Sequence, residues 1–400
     1  MLELLAYLHD PELVARFQRR CGLFLVEAKN HSRGSTRAHN GTPDHNDKAR
    51  GQVEGRWDHQ DRNSNYTHKE NGYANGCSRP QYEVRNWLLH FLFLVSAGLG
   101  HEIFYITCLP IIHWSLDPFL CRRLVNMWTV VMYVGQVMKD LLKLPRPLSP
   151  PVVKLETRVD AEYGLPSTHA MAATAISFTL LLSAPSRLQF QFEVGLLIAV
   201  TLSSLVCLSR LYTGMHSVLD VICGALISFT ILFLTYPYWE SVDHFQLTSP
   251  ISPFMAFLLP LFLSYTYPEL GHYSTTRGDT TTILGAGAGS SIGCWVNVQL
   301  GQTFEPQGEL PVPLPTLTAN SLAFGFARFL VGVVALVGTR QVVKTLSLRV
   351  LYSWYGVPKS DSNARRRREI EVPSKFVTYL SVGVVNSILV NRVFLVLGLI

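Results

Sequence analysis

From Trp87 onward, the chain alternates long apolar runs with shorter polar connections. A helix that crosses a bilayer needs about 20 mostly apolar residues. Runs of this kind predict nine helical spans, at 87–110, 122–144, 168–184, 193–212, 217–236, 251–267, 280–299, 321–340 and 376–400. The pattern therefore predicts an all-α fold, a polytopic helical bundle within a membrane.

The polar positions divide the chain into three parts. Residues 1–86 begin with an amphipathic stretch, either a helix on the membrane surface or a small helix packed on protein. Over about 30–80 the composition is too polar to offset the entropy of ordering, which predicts a disordered tail. Residues 87–240 form a core that holds three ionisable clusters. Residues 241–400 add further helices and a basic loop near 341–375.

Composition narrows the class of protein. Apolar residues make up 48% of the chain and charged residues 16%, whereas soluble domains carry about 25% charged residues. This balance argues against a soluble enzyme, a coiled coil and a disordered protein. The net charge of +6 is small for 400 residues, so no nucleic-acid partner is expected.

Ionisable side chains in membrane spans are costly and are therefore candidates for function. In the first cluster, Lys139 and Arg146 lie at the end of the second predicted span. Their spacing is about two helical turns, which predicts both cations on one helix face. Pro145 is expected to end this helix near the membrane surface.

The second cluster, Pro166-Ser167-Thr168-His169, begins the third predicted span. Its Pro-Ser pair is typical of a helix entrance, where free backbone N–H groups attract anions.

The third cluster contains Ser209, Arg210, His216 and Asp220. Arg210 closes the fourth predicted span, and His216 lies four residues before Asp220 at the start of the fifth. This spacing predicts a carboxylate beside the imidazole.

The predicted topology brings the three clusters to one membrane face, because two spans separate the loops that carry them. Each cluster alone has a simpler interpretation, as a snorkelling cation, a structural hydrogen bond or a helix cap. Together they favour phosphoryl transfer, in which cations bind phosphate oxygens, one histidine attacks phosphorus and the other protonates the leaving alkoxide. Because no metal-ligand set accompanies them, neither a metal nor another cofactor is expected.

These residues resemble the type 2 phosphatidic acid phosphatase superfamily, which shares its site with vanadium haloperoxidases. The superfamily pattern combines Lys-x6-Arg-Pro, Pro-Ser-x-His and Ser-Arg-x5-His-x3-Asp. The chain matches these motifs at 139–147, 166–169 and 209–220. One departure is Thr168, where many lipid phosphate phosphatases have glycine. The resemblance implies a haloperoxidase-like helical core that acts on a lipid phosphate.

The resemblance also implies a role for each site residue. His216 is the nucleophile that forms a phosphohistidine, Asp220 orients it, and His169 is the acid for the leaving oxygen. The substrate-binding set consists of Lys139, Arg146, Ser167, Thr168, Ser209 and Arg210. Within this set the three cations bind phosphate oxygens, Ser167 and the Thr168 backbone donate hydrogen bonds, and Ser209 helps to position the site.

Further segments resemble the sphingosine-1-phosphate phosphatases, and the second isoform more than the first. They lie at 13–24, 104–107, 132–136, 163–173 and 371–379. This resemblance implies a multi-pass enzyme of the endoplasmic reticulum membrane that dephosphorylates sphingoid base 1-phosphates. Two alternatives stay open: a broader lipid phosphatase acting on phosphatidate or lysophosphatidate, and an inactive membrane scaffold or transporter.

Orientation is a separate prediction. Three Asn-x-Ser/Thr triplets lie in the polar tail, at Asn30, Asn40 and Asn65. A lumenal tail would expose them to glycosylation. Two predicted spans separate the tail from the first cluster, so a glycosylated tail would indicate a lumenal site.

Overall fold

The computed structural model describes residues 2–26, 81–100, 102–156, 162–306, 308–316, 318–358, 361 and 363–399. The predicted disordered tail and its three glycosylation triplets lie outside the described residues. Contacts divide the chain into two units, residues 1–25 with 82–400 and residues 26–81. All of the helices described below belong to the first unit.

Helices dominate the described chain, as predicted. They are α1 (Leu2–His9), α2 (Pro11–Arg20), α3 (Trp87–Leu99), α4 (Glu102–Ser115), α5 (Pro118–Leu142), α6 (Thr168–Ser183), α7 (Phe192–Tyr212), α8 (Val218–Thr235), α9 (Trp239–Thr248), α10 (Ser252–Tyr265), α11 (Thr276–Gln299), α12 (Ala319–Trp354), α13 (Arg368–Val384) and α14 (Val390–Val396). A π-helical turn, Val385–Leu389, joins α13 to α14.

Short strands form two small pairs. They are β1 (Leu23–Val26), β2 (Gln81–Val84), β3 (Leu188–Gln189) and β4 (Val312–Pro313). β1 pairs with β2, and β3 runs parallel to β4 with Leu188 opposite Val312. The all-α fold class is therefore confirmed.

The prediction of one continuous span over 87–110 is wrong. The chain forms α3 and α4 there, and α3 ends at Gly100. Glycine has low helix propensity, which favours a helix end at this position. A Cβ at Gly100 would lie 3.0 Å from His169 Cδ2 and 3.0 Å from Val206 Cγ1, so glycine permits a close approach to α6 and α7.

Within the described chain, fewer helices than the nine predicted spans are long and apolar enough to cross a membrane. By length and composition, four helical segments of the described chain could cross a membrane, with two shorter apolar helices beside them. The four are Phe192–Tyr212, Val218–Thr248, Ala319–Trp354 and Arg368–Val396, and the shorter ones are Trp87–Leu99 and Ser252–Tyr265. The predicted spans at α5, α6 and α11 are helical but do not meet this criterion. α5 carries several charges, α6 has 16 residues, and α11 is rich in Gly, Ser and Thr.

Packing explains why α5 and α11 can carry polar residues. α6 packs against α5, α7 and α8, while α11 packs against α5, α10 and α13. A helix enclosed by other helices presents little surface to lipid, so it does not need an apolar outer face. Hydropathy therefore identifies the outer helices better than the central ones.

The basic loop predicted near 341–375 is shorter than predicted, because helices cover both of its ends, and Arg365, Arg366 and Arg367 lie in the connection that remains. α12 continues to Trp354 and α13 begins at Arg368. Lys344 and Arg349 lie within α12, because Lys and Arg are good helix formers.

The amphipathic start packs on protein, which decides between its two interpretations for α2. Val14 and Ala15 are buried in a cluster with residues of α6, α7 and α8. Gln18 is also buried, and its amide donates to the carbonyl oxygens of Val153 at 2.7 Å and Tyr212 at 2.8 Å. Through Gln18, α2 thus joins the connection at Val153 to the C-terminal end of α7 at Tyr212.

Candidate active site

The first cluster lies where α5 ends. Lys139 is buried in the last turn of α5, and its Nζ donates to Thr168 Oγ1 at 3.3 Å. The helix ends at Lys143 in the left-handed region, at φ 52°. Arg146 therefore lies beyond the helix, and the prediction that both cations share a helix face is wrong.

Arg146 nevertheless reaches the same site, because its guanidinium connects two loops. Its Nε donates to the Glu162 carbonyl oxygen at 2.9 Å, and its Nη1 donates to the Met215 carbonyl oxygen at 3.2 Å. Arg146 is thereby held beside His216, the residue that follows Met215.

The second cluster forms a capped helix entrance, as predicted. Ser167 is the N-cap of α6, and its Oγ accepts a hydrogen bond from the Ala170 N–H at 3.4 Å. The Ser167 N–H donates to the Asp220 carbonyl oxygen at 3.0 Å, which ties this entrance to α8. Thr168 is buried and His169 is half-buried.

The third cluster is divided between the end of α7 and the start of α8. Arg210 is buried and directs Nη1 and Nη2 at the Glu156 carboxylate, at 3.1 and 3.4 Å. The Ser209 hydroxyl donates to the Val206 carbonyl oxygen at 2.6 Å within α7.

His216 and Asp220 lie side by side, but they do not share a hydrogen bond. Their Nδ1 and Oδ2 atoms are 3.5 Å apart, and within the described chain Nδ1 has no hydrogen-bond partner. Oδ2 instead accepts from the Ser217 N–H at 2.8 Å, while Ser217 Oγ accepts from the Asp220 N–H at 3.2 Å. This capping box begins α8, so Asp220 has a structural role as well as its position beside the imidazole.

The electrostatic environment keeps His216 neutral. Burial lowers the pKa of His216 well below its ordinary value, and the positive charges of Arg146, Lys139 and Arg210 lower it further. A neutral imidazole retains the lone pair that a nucleophile requires. The structure thus brings three cations around a buried, neutral histidine.

Two glutamates at the site were not predicted from the sequence. Glu162 Oε2 lies 3.6 Å from Lys139 Nζ and 3.4 Å from Arg146 Nη2, and Glu156 pairs with Arg210. Both precede the second cluster in a polar connection, where an ordinary solvent-exposed carboxylate would be expected. Their spacing carries no signal of a site.

The buried hydrogen bonds of Gln18 to Val153 and Tyr212 were not predicted either, because a single glutamine in an amphipathic helix has no distinctive pattern.

Among the described residues, no group of three or more His, Cys, Asp or Glu side chains could hold a metal ion. The positive charges that the structure places at this site are those of Lys139, Arg146 and Arg210.

Comparison with known proteins shows the family of the chain. A model of the PAP2 superfamily matches residues 121–242, a range that contains all nine predicted site residues. The region of the chain that carries the three motifs thus matches the PAP2 superfamily.

Similarity over the full length is more specific. The chain is 48% identical to sphingosine-1-phosphate phosphatase 2 of Homo sapiens and 46% identical to that of Mus musculus, in each case over the whole of both chains. It is 40% identical to sphingosine-1-phosphate phosphatase 1 of Rattus norvegicus, over 79% of this chain and 74% of the relative. The chain belongs to the sphingosine-1-phosphate phosphatase family and is a multi-pass membrane protein. No solved structure matches it.

Proposed function

We propose that the protein hydrolyses sphingoid base 1-phosphates to the free base and inorganic phosphate, without a metal ion. The observation that carries this proposal is the placement of Lys139, Arg146 and Arg210 around a buried, neutral His216. Three cations match the charge of a phosphate monoester dianion, and guanidinium groups bind its oxygens in bidentate fashion. The names of the relatives indicate the lipid.

In the first step, His216 attacks phosphorus through Nε2, because Nδ1 faces Asp220. The P–O bond to the sphingoid base breaks, and His169 donates a proton to the departing alkoxide oxygen. In the second step, water attacks the phosphohistidine and gives its proton to His169. The P–N bond breaks, which releases phosphate and restores both histidines.

The remaining site residues bind and position the phosphate. Lys139, Arg146 and Arg210 neutralise its oxygens, and the Ser167 hydroxyl and Thr168 N–H donate to it at the start of α6. The Ser209 hydroxyl donates to the Val206 carbonyl oxygen, and Ser209 directly precedes Arg210. Ser209 therefore contributes by holding the turn of α7 that carries Arg210.

We further propose that the enzyme resides in the endoplasmic reticulum membrane, as the family resemblance implies. Its substrate is then a lipid that stays in the bilayer while its headgroup enters the site. A broader lipid phosphatase that acts on phosphatidate or lysophosphatidate is the competing function, because the same cations would bind those phosphates.

Purified protein in detergent micelles distinguishes the two functions. Equal concentrations of a sphingoid base 1-phosphate, phosphatidate and lysophosphatidate should compete, with kcat/KM at least tenfold higher for the sphingoid substrate. Comparable values for all three would support the broader function. An absence of hydrolysis in wild-type protein that binds vanadate, a phosphate analogue, would contradict both.

A further inference from the structure

Carboxylates of the connection between α5 and α6 meet the phosphate-binding cations. Glu162 lies against Lys139 and Arg146, and Glu156 lies against Arg210. A phosphate monoester must approach these same ammonium and guanidinium groups, so the glutamates occupy space that phosphate oxygens would take. Binding of substrate therefore requires the carboxylates to move aside.

A displaced carboxylate then lies beside a phosphate dianion. Like charges at short distance repel, and this repulsion is strong where solvent is excluded. The repulsion is removed if the substrate brings its own positive charge to the carboxylate. The electrostatics at this position therefore favour a phosphate ester that also carries a cation.

Glu162 is held near the phosphate position even when its carboxylate turns. Its carbonyl oxygen accepts the 2.9 Å hydrogen bond from Arg146 Nε, and its Oε1 accepts from Thr275 Oγ1 at 3.1 Å. Its side chain is 14% exposed. Because the carbonyl oxygen and Oε1 of Glu162 are held in this way, its carboxylate stays within one side-chain length of the position that the phosphate would take.

Glu156 differs in each respect. It pairs with a single cation, Arg210, and its side chain is 35% exposed. When phosphate takes its place, the Glu156 side chain can rotate into the solvent, where a lone carboxylate is well hydrated.

We propose that Glu162 binds the ammonium group of the substrate and thereby selects amine-bearing phosphate esters over phosphatidate. This inference rests on the proposed function. A sphingoid base 1-phosphate carries a protonated amine on the carbon next to the one that bears the phosphate ester. Phosphatidate and lysophosphatidate carry only an uncharged ester or hydroxyl group at that carbon, so they leave Glu162 beside the phosphate without a cation.

The test compares a sphingoid base 1-phosphate with its N-acetyl derivative of the same chain length, in which the amine is uncharged. Wild-type protein should prefer the amine substrate. In Glu162→Gln the ratio of the two kcat/KM values should fall about 10- to 100-fold, the range that a hydrogen bond to a charged group accounts for. Hydrolysis of the N-acetyl substrate should rise, because the competing carboxylate is gone.

Two matched variants sharpen this test. Glu162→Asp keeps the charge and should retain part of the preference, whereas Glu156→Gln should change the ratio less than twofold. Vanadate binding by each variant shows that its site is folded.

An unchanged ratio in a folded Glu162→Gln variant would overturn the assignment. An equal fall of the ratio in Glu156→Gln would overturn it as well. Wild-type protein that binds vanadate but hydrolyses neither substrate would contradict the proposed function instead.

Discussion

The two ends of α5 both bury cations beside carboxylates, yet they are built differently. At the N-terminal end, Arg122 Nε lies 3.2 Å from Asp243 Oδ1 and Arg123 Nε lies 2.5 Å from Asp243 Oδ2. All three side chains are at most 8% exposed. Asp243 belongs to α9, so its position is set by helix packing.

Aromatic rings also pack against the arginines at the N-terminal end of α5. Arg123 stacks over Phe119 at 4.3 Å from the ring centroid and over Trp239 at 5.6 Å. Arg187 stacks over the same Phe119 ring and pairs with the buried Asp117 at 2.5 Å. Arg122 and Arg123 thus pair with a carboxylate of α9, and Arg187 pairs with the N-cap residue of α5.

At the C-terminal end, the carboxylates come from a connection rather than a helix. The distances from Glu162 and Glu156 to their cations are 3.1 to 3.6 Å, and both side chains are more exposed than Asp243. Buried charge needs a partner at either end. A carboxylate on a helix is fixed by helix packing, whereas a carboxylate on a connection can move and leave its cation to a ligand.

The largest expected effect tests whether the C-terminal end is catalytic. His216→Ala should lower kcat by about 10⁴-fold or more and abolish phosphoenzyme labelling, because it removes the nucleophile. Rapid quench with a radiolabelled lipid phosphate measures both quantities.

His169→Ala is the companion variant. It should lower kcat about 10²- to 10⁴-fold for the alkyl ester and less for an aryl phosphate, whose leaving group needs less protonation. Equal losses for both substrates in His169→Ala would refute the assignment of nucleophile and acid.

The next effect concerns stability at the N-terminal end. Asp243→Asn should lower the free energy of unfolding by about 3–5 kcal/mol, because it leaves two buried arginines without their shared carboxylate. Glu156→Gln, at the other end, should cost less than Asp243→Asn, since the Glu156 carboxylate is partly solvated and pairs with one arginine rather than two. Thermal unfolding in detergent measures both, and equal losses would contradict the contrast between the two ends.

The smallest effect is stabilisation by a phosphate analogue. Vanadate at about 100 times its Kd should raise the free energy of unfolding by about 2.7 kcal/mol. Arg210→Ala should weaken this shift, whereas Glu240→Gln, an exposed position at the N-terminal end, should leave it unchanged.

The proposed hydrolysis without a metal ion has its own test. Activity that collapses in EDTA and returns with magnesium would contradict it.

Much of the site could be predicted because its motifs are local in sequence. The N-cap at Ser167 and the spacing of His216 and Asp220 depend on neighbours within a turn or two. Other features could not be predicted from spacing. Arg146 lies beyond the end of α5 and reaches the site through contacts with the Glu162 and Met215 carbonyls.

The break at Gly100 and the length of α12 show a related limit. A hydropathy run does not say where a helix must end, and Gly100 lies at a close approach to His169 and Val206 that only packing creates. Similarly, α12 continues past the apolar run because its later positions, Lys344 and Arg349 among them, still favour a helix.

The sequence by itself determined the helical class, the three motifs and the chemistry that their residue types allow, because apolar runs and short spacings act through local geometry. The tertiary structure alone decided which carboxylates face the cations at each end of α5. Asp243 is more than a hundred residues from Arg122, and Glu162 contacts Thr275 from a distant loop. Such contacts depend on how the helices pack, and packing brings together residues whose separation along the chain carries no periodic signal.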